Sequence, residues 1–264
     1  MKKLCLTAAI LMTAAASMAQ DHLPPVFGAD TALFRKDIMT RSYMTPKKIL
    51  WTSSATAVQN AELLLKPNTG QADIFGEGMC RLTNNGNDQA SLILDFGHEL
   101  HGGFKLVISS CSPLQTPQVR LRFGESVSET CSELNTTKSI AETGSKADVN
   151  LKANTATNDH AIRDMVLTVP FYGQMEVGST GYRFVRIDLL TPGQTINLKE
   201  ATAILRYRDI PYVGSFRCSD QRLNDIWMTG AYTVHLNMQE YIWDGVKRDR
   251  LVWLGDMHPE TTTI

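Results

Sequence analysis

Between residues 91 and 208 the apolar positions come in short bursts: SLILDFG (91–97), FKLVIS (104–109), QVRLRFGES (118–126), DMVLTVPF (164–171), YRFVRIDLL (182–190) and ATAILRYR (201–208). Each burst is rich in β-branched and aromatic residues and bounded by Gly, Pro, Asn or Ser, which predicts strands. In the third, Val119, Leu121 and Phe123 alternate with Arg120 and Arg122, so one face of that strand is expected to meet water. No helical period intervenes. The reading is therefore mainly β, a jelly-roll-like β-sandwich over residues 46–212.

The period changes after Ser219. Leu223, Ile226, Trp227, Gly230 and Val234 fall at three- and four-residue steps, which predicts an amphipathic helix capped by Ser219 or Asp220 and running to about Glu240. Trp227 is expected in its core-facing stripe, and Gly245 is expected to break the helix. Residues 20–45, with Pro24-Pro25 and no sustained period, read as an exposed lead-in. Residues 131–160, rich in Ser, Thr, Asn and Ala, read as a long excursion from the sandwich.

Composition narrows the class. An apolar share of 43% supports a substantial core, and a formal charge of −1 without basic blocks excludes the footprint of a nucleic-acid binder. Lys2 and Lys3 precede an apolar run from Leu4 to Ala16 that closes with Ser17-Met18-Ala19. That run is short for a membrane span, and its small residues suit signal peptidase, so residues 1–19 read as a signal peptide cleaved after Ala19. The mature chain is expected to be periplasmic or secreted, with no membrane span. Cys80, Cys111, Cys131 and Cys218 would then meet an oxidising compartment, where both disulfides and buried free thiols are open to them.

The densest chemistry lies in WDGVKRDRLVWLGDMHPE, residues 243–260. Asp244, Asp249 and Asp256 are spaced so that a continuous helix would scatter their carboxylates, and convergence requires a folded loop, for which Gly245 and Gly255 provide the freedom. Carboxylates accept hydrogen bonds from adjacent hydroxyls, Arg248 donates in a fork, and the Trp253 indole can cover the apolar side of a ring, so the set suits a sugar. The spacing does not suit a metal, and no cofactor is expected.

This stretch resembles glycoside hydrolase family 78, the α-L-rhamnosidases, whose signature runs D-x-x-x-R-[DE]-R-x-x-W-x-G-D. Asp244, Arg248, Asp249, Arg250, Trp253, Gly255 and Asp256 occupy every fixed position. GSFRCSDQRLNDIW (214–227), LDFGHELHGGFKL, VRLRFGES and TGYRFVRI look like further family segments, so the resemblance covers roughly residues 90–260. It implies an inverting glycosidase acting on a rhamnose-containing carbohydrate. Asp249 would be the general acid, with Asp244, Arg248, Trp253 and Asp256 holding the rhamnose. The family often has glutamate at the acid position; aspartate withdraws the carboxyl by about 1.5 Å. Because Arg248 beside it favours the ionised form, burial or neighbouring aspartates must oppose it to keep Asp249 protonated.

Inversion needs a second carboxylate about 6.5–9.5 Å from the first. In the family this base lies far downstream in an (α/α)6 barrel, whose helices at roughly 11–12 residues each need well over a hundred residues. Residues 213–264 are therefore expected to hold the first helix of a truncated barrel and the acid-bearing loop, without the base and without turnover alone. The rival reading is a non-catalytic carbohydrate-binding or inter-domain β-sandwich.

Two further clusters have simpler readings. His98-Glu99-Leu100-His101 lacks the H-E-x-x-H spacing of a zinc helix, and Gly97, Gly102 and Gly103 predict a β-turn there. In His258-Pro259-Glu260, Pro259 is expected to start a helix with Glu260 in its first turn.

Overall fold

The computed structural model describes residues 26, 37–74, 78–132, 163–247 and 250–264. The expected signal peptide, the lead-in before residue 37 apart from Val26, most of the 131–160 excursion, and both Arg248 and Asp249 lie outside these residues. The chain divides into two units, Met1–Asp37 and Ile38–Ile264, and every element below belongs to the second.

Among the described residues, nine strands form the body: β1 (Thr40–Met44), β2 (Lys48–Thr52), β3 (Val58–Gln59), β4 (Cys80–Asn84), β5 (Ser91–Ser112), β6 (Gln118–Gly124), β7 (Arg163–Thr168), β8 (Gly173–Leu189) and β9 (Gln194–Tyr207). Their order is β3-β4-β9-β5-β8-β6-β7, with β1 on β9 and β2 on β5. All the pairings are antiparallel. Helix α1 (Val127–Thr130) follows β6, while α2 (Gln221–Asn237) and α3 (Leu254–Thr263) follow the last strand. The fold is thus mainly β, a sandwich followed by a helical segment, as the strand pattern predicts.

The long strands carry the architecture because they change neighbours partway. Residues 92–95 of β5 sit between β2 and β8, and residues 102–108 sit between β9 and β8. The turn predicted at Gly97–Gly103 does not reverse the chain. β5 runs straight through it, and its register against β8 shifts between Asp95 and Leu100 and again between Gly102 and Phe104. These bulges are what the glycines serve. Gly102 has φ +148°, and a Cβ there would stand 1.8 Å from the Ile204 carbonyl oxygen of β9. Only glycine allows so close an approach.

Phe96, Phe104, Phe123 and Tyr182 meet edge-to-face in the core, with ring centroids 5.0–6.2 Å apart. The Tyr182 hydroxyl donates to the Gly103 carbonyl at 2.5 Å. Arg122, expected on a wet face, is instead buried and donates to buried Asp188 at 2.9 Å, which also accepts from Arg186 at 2.8 Å. Alternation alone misreads such a residue, because a cation can face inward when a carboxylate on the next strand receives it.

The lead-in expected over residues 20–45 ends earlier, at the start of β1. Thr40–Met44 lacks an apolar alternation, yet it pairs residue for residue with Ala203–Tyr207. Arg41 and Tyr43 clasp Glu176 at 2.5 and 2.8 Å, so backbone bonds and polar contacts recruit this edge. Among the described residues, Cys80, Cys111, Cys131 and Cys218 are free. Burial pushes the Cys80 and Cys111 thiols up to about 12 and about 11.

Helix α2 begins where expected, with the Asp220 carboxylate accepting from the Arg222 amide at 2.9 Å. It ends at Asn237, before Glu240 and well before Gly245. The Arg208 guanidinium explains the stop by taking the carbonyls of Met238 and Gln239, which a helix end leaves open. His235 Nε2 bonds the Arg208 carbonyl oxygen at 2.6 Å, so helix end and β9 exit lock reciprocally.

Candidate functional site

After α2 the chain turns back on itself and closes a loop from Asp244 to Leu251. The Asp244 amide donates to the Leu251 carbonyl at 2.8 Å, and the Leu251 amide donates to Asp244 Oδ1 at 3.0 Å. The loop lies against the sandwich. Val246 and Lys247 are buried, and Gly181 of β8 leaves them room, since a Cβ there would stand 2.5 Å from Val246 Cγ2.

The Lys247 ammonium donates to the Phe123 carbonyl at 3.2 Å and forms an ion pair with Glu129 Oε1. Glu129 is held in turn by the Glu125 amide at 2.7 Å, and its own amide bonds the Ser126 hydroxyl at 3.3 Å. This S-x-x-E capping pattern fixes α1 at the exit of β6. On the far side, Arg250 adopts a left-handed backbone, φ +54°, donates to the Ser179 carbonyl at 2.6 Å and lies 5.8 Å from the Trp243 ring. A non-glycine residue in that conformation persists only where its surroundings impose it.

Trp243 packs edge-on against buried His101 at 5.4 Å. Burial first, then the charges of Arg250 and Arg206, hold the His101 imidazole down to about 4, so it is neutral at neutral pH. His98 instead meets Tyr232 of α2. The two histidines of the HELH stretch thus serve different neighbours.

Beyond Leu251, α3 carries Asp256 in its first turn. Pro259 lies inside this helix, not at its start, so the expectation for His258–Glu260 is corrected by half a helix. Glu260 is buried and its carboxyl is raised, by desolvation first and then by the charges of Asp256 and Asp244. Asp244 and Asp256, two of the residues expected to hold a sugar, both act electrostatically on this third carboxyl. Trp253, by contrast, is 52% exposed.

A cavity of about 820 Å³ opens between the sandwich, α2 and this loop. Phe96, Leu100 and Leu205 line it from the sandwich, Met228, Tyr232 and Leu236 from α2, and Asp244–Lys247 from the loop. Glu99, Glu125 and Arg183 supply polar groups. Desolvation, followed by the hydrogen bond and charge of Glu125, pushes the Glu99 carboxyl up to about 8. The Tyr232 hydroxyl donates to the Glu99 carbonyl at 2.6 Å, tying α2 to the β5 bulge. Sequence reading missed Glu99, Glu125, Glu129 and Lys247 as parts of one region. The S-x-x-E pattern at Ser126–Glu129 was the available signal, whereas Lys247 stands at a variable position of the signature.

The sandwich is thus joined to a helical segment whose loop lines a partly apolar cavity. Residues 211–264 match the sequence model of the bacterial alpha-L-rhamnosidase 6-hairpin glycosidase domain. A rhamnosidase from Klebsiella oxytoca with rhamnose bound shares the fold, with TM-score 0.58 and 18% identity over 84% of this chain. The chain spans 40% of the length of that protein. A family 78 rhamnosidase of Bacillus sp. GL1 aligns over 71% of this chain and 17% of its own, with 17% identity and TM-score 0.48. No curated protein matches the chain by sequence. The segment that matches, residues 211–264, contains the signature from Asp244 to Asp256.

Proposed function

We propose that the chain belongs to an exported, inverting α-L-rhamnosidase that removes terminal rhamnose from glycosides or polysaccharides. The observation that carries the reading is the complete signature from Asp244 to Asp256, within the segment that matches the glycosidase domain. Asp249 protonates the departing glycosidic oxygen. Asp244 and Asp256 accept hydrogen bonds from sugar hydroxyls, Arg248 donates to them, and the exposed Trp253 face covers the apolar side of the ring. The raised Glu260 carboxyl supports the electrostatic part of this reading: the charges of Asp256 and Asp244 act on it, and a bound sugar's hydroxyls relieve such repulsion. The family's base falls in later helices, so turnover is proposed for a protein that carries them and not for residues 1–264 alone.

Two experiments test the reading. Titrating the 264-residue chain with rhamnose is expected to show saturable binding that Asp244→Asn weakens at least about tenfold. Absence of binding by the unaltered chain would remove the pocket. In a protein that includes the remaining helices, Asp249→Asn is expected to abolish hydrolysis of poor leaving groups and spare binding. Equal activity of the two would take the acid role from Asp249.

A further inference from the structure

We infer that Lys247 is a positioning residue: by docking into the sandwich at Glu129 and Phe123, it sets the register of the Asp244–Leu251 loop and so the placement of its sugar-binding side chains. The inference rests on the proposed function for what the loop binds, and on geometry for how the loop is held.

Lys247 and Glu129 side chains are each 2% exposed, and the lysine belongs to the loop while the glutamate belongs to the turn after β6. Burying an ammonium costs several kcal/mol even when paired, and an apolar side chain would seal the same gap at no such cost. What the pair adds is direction. The ammonium meets both Glu129 Oε1 and the Phe123 carbonyl only when the loop sits in one register, and an apolar plug would tolerate sliding.

The receiving end is itself rigid. Glu129 is held by the Glu125 amide and by its own amide's bond to Ser126, and Gly124 is packed so closely that a Cβ would lie 2.5 Å from the Ser126 carbonyl oxygen. Lys247 stands three residues after Asp244 and three before Arg250, whose guanidinium holds the Ser179 carbonyl. The loop is therefore pinned to the sandwich from both flanks and closed at its base by the paired Asp244–Leu251 bonds. Shifting one pin by a residue would carry Asp244 away from Asp256 and Glu260.

The test compares the 264-residue chain with the double variant Lys247→Met/Glu129→Gln. The double change removes both charges of the pair together, so Glu129 is not left as an orphaned carboxylate, and it keeps side chains of similar length, so the sandwich is expected to melt close to the unaltered protein. Two readouts follow. Rhamnose affinity is expected to fall about tenfold or more. Hydrogen exchange of the Leu251 amide, which bonds Asp244 Oδ1, is expected to accelerate at least about tenfold while the Tyr182 amide in the core keeps its rate. Unchanged Leu251 exchange overturns the inference, whatever the protein binds. Accelerated exchange with affinity within twofold also overturns it, because the anchor would then not place the sugar ligands. If the unaltered chain binds no rhamnose, the function reading fails and the exchange arm still decides whether Lys247 holds the loop.

Discussion

The sandwich and the segment after it treat apolar side chains in opposite ways. Phe104, Phe123 and Tyr182 are almost fully buried against one another. In residues 211–264, Ile226 is 58% exposed and Leu254 85% exposed, and among the described residues only Leu236 and Val246 join the buried apolar set. The sandwich makes its own core. The helical segment is ordered chiefly by polar locks onto the sandwich: Arg208 on the carbonyls after α2, His235 on Arg208, Tyr232 on the Glu99 carbonyl, and Lys247 on Glu129. Directional bonds suffice to place such a segment, whereas a core is needed to stabilise a domain.

Four changes would break or sharpen that contrast. Phe123→Ala removes a ring from the core and is expected to cost about 3–5 kcal/mol in urea unfolding, the largest effect. Lys247→Met alone strands Glu129 and is expected to approach about 3 kcal/mol; a loss near zero would mean that the two regions are not joined through this pair.

The third change concerns pH. The Glu99 carboxyl titrates near 8 in the folded chain, well above its ordinary value of 4.5, so the folded state holds the extra proton and stability falls as pH rises toward 8. His101, held near 4 against an ordinary 6.5, acts oppositely, with stability lost as pH falls below 6.5. Between pH 6.5 and 8 the Glu99 contribution stands apart from that of His101. The melting temperature is expected to decline across that window, and Glu99→Gln is expected to flatten the decline. A decline unchanged in the variant would assign it to another group. Ile226→Ser, on the exposed stripe of α2, is expected to shift unfolding by no more than about 0.5 kcal/mol. A larger loss would show that this stripe is covered in solution.

Much of this was legible along the chain. The β-branched bursts mark strands because period-two patterning and turn residues act locally, and Asp220 marks the start of α2 because a cap acts within three residues. Errors fell where the deciding contact is distant in sequence. Gly97–Gly103 resembles a turn until β8 and β9 are seen to flank it. Arg122 reads as solvated until Asp188 arrives from another strand. The end of α2 depends on Arg208, thirty residues upstream of the carbonyl it captures at Met238.

For the candidate site the division is similar. The signature residues Asp244, Trp253 and Asp256 were visible because they stand at fixed positions of a spaced sequence pattern. Their support was not, since Glu99, Glu125, Glu129 and Lys247 belong to no shared motif and are brought together by the β5 bulge, the β6 exit and the loop.

The sequence by itself determined the strands, the helix start and the roster of sugar-compatible groups, all of which depend on neighbours a few residues apart. Only the tertiary structure decided which charges are buried, where α2 stops and how the acidic loop is seated. Those outcomes turn on the cost of removing a charge from water, and that cost is met by partners that the chain brings from far away.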